Sequence, residues 1–336
     1  MAPTKSFLHR KVTRTYPRNT EAYQLYLKGL YHRQKTTEES FNESIGYFRQ
    51  AVDLDPTYPL AYAGLSDTYN SLGYLQIVSP AEVWPRSKTA ALAALKLDDR
   101  LAEAHAALGA SMLFYDWDLP GAKLAFDRAI ELNPNHAITY HWYAHYWMAM
   151  GQEERLLEAS RRAVELEPLD LMLNAHLLFI LSNFLSAEEL MEDARKVREI
   201  EPDFWAAHST LGIVLVREGR VEEGLLELEE GARRSNEIPL ALMALGSGYA
   251  AAGRRADAAR VIADLERKPY TPSVYIAQIH SVLDDRNEVF RWLERGFEER
   301  NPDMLLINLK GWWPASWQAE PRMQDLMRRI GHPSQG

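Results

Sequence analysis

Apolar residues along this chain gather in Ala-, Val- and Leu-rich runs at helical spacing, and each run ends at a similar break. Asp55-Pro56, Asn133-Pro134, Glu167-Pro168 and Glu201-Pro202 close such runs, for example Ala129–Leu132 and Ala163–Leu166, and the last three breaks stand 34 residues apart. Proline lacks an N–H and biases its predecessor away from the α region, so each break marks one helix ending and another starting. A second series runs in step. Gly109, Ala144, Leu178, Gly212 and Gly246 are separated by 35, 34, 34 and 34 residues, with Gly29 and Gly64 at the matching sites nearer the start. A mid-helix glycine costs about 1 kcal/mol relative to alanine. Its return at one phase predicts close approach of a neighbouring helix. Seven residues further on, Gly151, Gly219 and Gly253 end the first helix of their units.

Within each unit the Gly series can be numbered position eight. Positions four, seven, eight and eleven then fall inside a helical hairpin, while two, five, nine and twelve form a separate stripe. That stripe reads Tyr23, Tyr26, Leu30, Arg33 in the first unit, then Tyr58, Ala61, Leu65, Thr68 and Glu103, Ala106, Ala110, Leu113. It continues Ile138, His141, His145, Met148, then Met172, Ala175, Phe179, Ser182, and on through Ala206, Ser209, Ile213, Val216 to Leu240, Met243, Ser247, Ala250. Only Arg33 and Glu103 in it carry formal charge. Ser79–Glu82, Thr36–Glu39 and Ser186–Glu189 read as helix starts with capping boxes, and residues 74–79 lengthen the turn of the second unit.

A fixed period of 34 residues, with Leu108-Gly109, Ala122, Phe126, Ala129 and Pro134 in register, resembles the tetratricopeptide repeat (TPR). Leu211-Gly212, Gly219 and Leu228 follow the same pattern, as do Leu245-Gly246, Tyr249, Gly253 and Ala258; the unit at 169–202 is degenerate. The stretches Glu21–Gly29, Ala61–Leu65, Tyr115–Asp118 and Glu320–Gly331 resemble, more narrowly, the TPR region found C-terminal to kinase, cyclase or winged-helix domains in bacterial regulatory proteins. The resemblance implies an all-α fold: a right-handed superhelical solenoid of about eight antiparallel helix hairpins over residues 21–300. A basic tail (1–20) precedes it, and a capping segment (301–336) bearing Trp312, Trp313 and Trp317 follows. It also implies that the first helices line the concave side, so that Tyr23, Tyr26, Arg33, Tyr58, Glu103, Ala110, Ile138, His141, His145, Met148 and Phe179 wall a partner groove.

Composition adjusts this picture in three places. The net charge is −9, and the five basic groups at Lys5, Arg10, Lys11, Arg14 and Arg18 leave 33 basic against 47 acidic residues in the remainder. That balance disfavours a nucleic-acid partner. The absence of cysteine excludes disulfides, thiolate metal sites and cysteine nucleophiles. No apolar run reaches the roughly 20 residues of a membrane span, and no secretory signal pattern is visible, so the expected location is cytoplasmic.

Chemistry is sparse. His141 and His145 stand four apart on one helical face, the spacing of metal sites, yet their unit offers no third ligand. They read as polar tips on an aromatic wall, with Glu103 the one acid able to approach. His105, His176 and His208 read as core imidazoles. Asp116 and Asp118 bracket Trp117 in a turn and read as helix-capping acids. Gly246-Ser247-Gly248 lies inside a repeat helix and lacks the preceding strand of a dinucleotide loop. The sequence therefore predicts a non-catalytic scaffold without cofactor or metal, binding an apolar or amphipathic protein segment in a regulatory or sensory setting. A small-ligand sensor built on His141 and His145, and an enzyme on a TPR frame, are the alternatives.

Overall fold

The structure is a computed structural model that describes residues 19–332 except 310, 311 and 314; the basic groups from Lys5 to Arg18 lie outside the described residues. Sixteen helices pair into eight hairpins. The first four are α1 (Thr20–Arg33) with α2 (Glu38–Leu54), α3 (Pro59–Tyr74) with α4 (Pro80–Leu97), α5 (Ala102–Ser111) with α6 (Leu119–Leu132), and α7 (Ala137–Ala149) with α8 (Glu153–Leu166). The second four are α9 (Leu171–Leu181) with α10 (Ala187–Ile200), α11 (Trp205–Arg217) with α12 (Val221–Arg234), α13 (Pro239–Ala251) with α14 (Arg255–Glu266), and α15 (Ser273–Val282) with α16 (Arg286–Glu298). A 3-10 segment, Pro302–Asn308, then leads to the short helix α17 (Ala315–Gln318) and to α18 (Pro321–Ile330). No strand occurs among the described residues.

The period has the physical cause the sequence suggested. A Cβ at Gly29 or at Gly64 would stand 2.6 Å from the Phe48 ring, which lies fully buried between α1 and α3. At Gly109 it would meet Phe126 at 2.7 Å. Gly29 and Gly109 thus make room for the ring of the second helix of their own hairpin, and Gly64 for the ring of the hairpin before it, so Phe48 joins two successive hairpins. Gly151, Gly219 and Gly253 adopt φ of 66°, 84° and 74°, the left-handed conformation that ends a helix without steric penalty for glycine.

Capping departs from expectation at one end. Ser186 and Glu189 form the predicted reciprocal box, with Glu189 N donating to Ser186 Oγ at 3.3 Å and Ser186 N donating to Glu189 Oε2 at 3.0 Å. Thr37 rather than Thr36 caps α2, and its reciprocal partner is Ser40. Ser79 makes no side-chain cap; Pro80 alone starts α4. Asp118 caps α6 by accepting from Gly121 N at 3.0 Å, as a turn acid should. Before it, Met112–Asp116 widens into a π turn that ends with Trp117 at φ 56°.

Every odd-numbered helix from α1 to α15 packs on the next odd-numbered one, whereas within α2 to α16 no even-numbered helix makes a comparable contact with the next even-numbered one. The odd helices therefore form the inner, concave side of the curve. This inner side is not an empty trough. Pro302–Asn308 lies wholly buried and packs on α3, α7, α16, α18 and the π turn. Gln76, at the tip of the lengthened turn of the second hairpin, donates through Nε2 to Asp303 Oδ2 at 2.6 Å and accepts from Asn301 Nδ2 at 2.7 Å. Asn308 and His332 both bond to the Ala149 carbonyl that ends α7, at 3.3 and 2.8 Å. Trp312, Trp313 and Trp317 are buried, so they offer no exposed aromatic patch.

Candidate functional site

Stripe positions from the second half of the array converge. Met172, Ala175 and Phe179 of α9, Ala206, Ser209 and Ile213 of α11, and Leu240 and Met243 of α13 line one apolar cavity of ≈ 80 Å³. Tyr74 and Leu75 from the second hairpin form its far wall, together with Tyr275, Asp303, Leu306 and Trp312. His176 borders it as well. The cavity shares Thr36, Phe204 and Trp205 with a wider cleft of ≈ 1260 Å³, where the α1–α2 turn faces the loops of the sixth and seventh hairpins. That cleft is lined by six carboxylates (Glu38, Glu39, Glu43, Glu201, Asp203, Glu237) and three basic groups (Lys35, Arg234, Lys268).

The N-terminal stripe has a different character. Tyr26, Arg33, Glu103 and Ile138 meet in a separate hollow of ≈ 250 Å³ together with Asp67, His136 and Glu167. This end is charged, because Asp67 and Glu167, which are not stripe positions, turn into it. Arg33 is committed internally: Nη1 stands 2.5 Å from Asp67 Oδ2, and Asp67 Oδ1 accepts from Trp142 Nε1 at 3.2 Å. Burial pushes the Tyr26 phenol up to about 12, with help from Glu103. Tyr23 is exposed, whereas Tyr58, Ala110, Ile138 and Met148 are buried and Phe179 is half-buried.

His141 and His145 do not stand as polar tips on an accessible wall. Both are buried, at 0% and 1% exposure, and the structure adds His176 from the next hairpin to them. The ring centroids are 5.1 Å apart for His141–His145, 4.7 Å for His141–His176 and 4.3 Å for His145–His176. One nitrogen from each ring lies within 4.8 Å of the other two. Tyr74, Phe114 and Trp142 surround them. Glu103, placed in the charged hollow, is not part of this group. Burial is the largest cause that lowers all three imidazoles, His176 to about 3, so all are neutral at pH 7. The sequence did hold a signal for His176: with a 34-residue period it sits one position past the equivalent of His141 on the neighbouring inner helix.

No protein-family model matches this chain, and no curated protein matches it. Among solved structures, the APC/C hetero-tetramer Cut9–Hcn1 aligns with a TM-score of 0.54 at 13% identity over 87% of this chain and 53% of that one. Yeast Tom70 aligns with a TM-score of 0.51 at 14% identity, over 89% of this chain and 63% of Tom70. The fold is that of the TPR solenoids. YrrB, a TPR protein with an unusual peptide-binding site, aligns at 20% identity over 59% of this chain and 96% of its own, with a TM-score of 0.38. This chain thus spans little more than half of the Cut9–Hcn1 chain and under two thirds of Tom70. Among the described residues no helix is long and apolar enough to cross a membrane.

Proposed function

We propose that this chain is a non-catalytic protein-interaction scaffold that takes an apolar side chain of a partner segment into the cavity between α9, α11 and α13. The observation that carries the reading is the cavity itself, whose walls are the stripe positions of three successive repeats. A TPR solenoid holds its ligand on this inner surface. The acidic excess of the outer cleft, six carboxylates against three bases, selects an amphipathic segment with cationic groups beside its apolar anchor. The resemblance of Glu21–Gly29 and Glu320–Gly331 to TPR regions of bacterial regulatory proteins supports a regulatory setting for such a scaffold.

Ala175 tests it, because it stands half-buried at the cavity wall whereas Ala110 is fully buried. Amphipathic peptides selected from a cationic library on the wild-type chain are expected to bind Ala175→Asp at least 10-fold more weakly, measured by fluorescence anisotropy, with helical content by circular dichroism unchanged. A carboxylate in a desolvated apolar wall costs enough to produce that loss. Equal binding to the variant would refute the site.

A further inference from the structure

We propose that His141, His145 and His176 form a divalent transition-metal site, with Zn²⁺ the fitting ion, that clasps the fourth and fifth hairpins together. Four observations converge on it. The three rings come from two rigid helices, α7 and α9, and hold one nitrogen each within 4.8 Å of the others. A tetrahedral Zn²⁺ with Zn–N bonds of 2.0–2.1 Å needs its nitrogens about 3.3 Å apart. Rotation about the broad χ2 of histidine supplies the difference.

Both nitrogens of His141, both of His145 and Nε2 of His176 are buried without a hydrogen-bond partner. Buried polar atoms are nearly always satisfied, and a ligand shared by the three rings accounts for three of these five orphans. A bound cation takes up one lone pair from each ring. The imidazoles are also neutral at pH 7, since burial lowers them, so no proton competes with the metal.

A set of three imidazoles without carboxylate or thiolate suits Zn²⁺ and its borderline neighbours rather than Mg²⁺ or Ca²⁺. Three protein ligands leave a fourth position. The cavity that His176 borders provides an entry path and space for a water or an anionic ligand group there. The nearby guanidinium of Arg33 is paired with Asp67, which limits its repulsion of the ion.

The test uses the full chain stripped with a chelator and titrated with Zn²⁺ alone. Calorimetry is expected to show one tight equivalent, and the melting temperature is expected to rise with Zn²⁺. Co²⁺ in its place is expected to give the intense visible absorption of a tetrahedral site, which two-ligand pairs such as His208–Glu227 or His32–Glu43 do not produce. His176→Gln is expected to weaken Zn²⁺ binding at least 100-fold and to abolish the Co²⁺ band. Wild-type affinity in His176→Gln would place the ion elsewhere and overturn the proposal. So would the absence of a saturable equivalent, or of the tetrahedral Co²⁺ band, in the wild-type chain, an outcome that does not depend on how well the variant folds.

Discussion

Phe48→Ala is expected to lower the unfolding free energy by about 3–5 kcal/mol, the cost of emptying a fully buried aromatic site. The ring does more than fill volume, because it is the surface on which two inner helices close. A Cβ at Gly29 or Gly64 would lie 2.6 Å from it, so neither helix can move in to fill the hole without first shedding the geometry that the ring imposes. A companion variant separates this account from simple core loss. Gly64→Ala raises helix propensity by about 1 kcal/mol, yet it is expected to destabilise by about 1–3 kcal/mol because the new methyl overlaps Phe48. In the double variant the two effects are expected to fall short of additivity, since removing the ring makes room for the methyl. Urea midpoints followed by circular dichroism measure all three. A stabilised Gly64→Ala in the wild-type background would show that the glycine phase has another cause.

Acidification from pH 7 to pH 5.5, without metal, is expected to destabilise the fold by about 4 kcal/mol through His141, His145 and His176 together. Their folded-state pKa values are depressed by burial, so on lowering the pH through the ordinary value near 6.5 the unfolded chain takes up protons that the native cluster refuses. Stability is therefore present above that value and lost below it. Asp303 acts in the opposite sense. Burial raises its carboxyl from 3.8 to about 7, with Tyr275 and Gln76 bonding to it, so the native state binds a proton that the unfolded chain releases. Over the same interval this returns about 2 kcal/mol, set against the loss from the three imidazoles and from His136, His280 and His332, which burial also lowers. Asp303→Asn removes the compensation. Between pH 7 and 5.5 it is expected to lose about 2 kcal/mol more stability than the wild-type chain, read from urea midpoints. Equal drops would mean that Asp303 is not held protonated in the fold.

The fold was legible because a repeat writes its packing rule several times. Gly29, Gly64 and Gly109 each signal the same close approach, and the structure answers each with an aromatic ring from a second helix. Turn glycines and the cap at Asp118 are likewise local, decided within a few residues. What the sequence concealed is what curvature brings together. The repeat pattern gave Asp67 no role and Glu167 only that of a helix break, yet stacking turns both into the hollow beside Arg33. His176 reads as an isolated core imidazole because its partners lie one full repeat earlier on another helix. The 301–309 stretch breaks the period and so gives no register at all. Its place against α3 and α7 depends on how far the whole array has turned, a quantity that no single unit encodes.

The bonds from Gln76 to Asn301 and Asp303 join residues 225 and 227 positions apart. Linear arrays unravel from their ends, because each unit leans only on its neighbours. A tie across the axis turns the row from the second hairpin to residue 303 into a loop, whose C-terminal end cannot melt without releasing the second hairpin. The late-formed contact of high sequence separation makes ordering slower while pushing unfolding towards a single all-or-none event, so this chain resists the stepwise fraying that its repeats alone would allow.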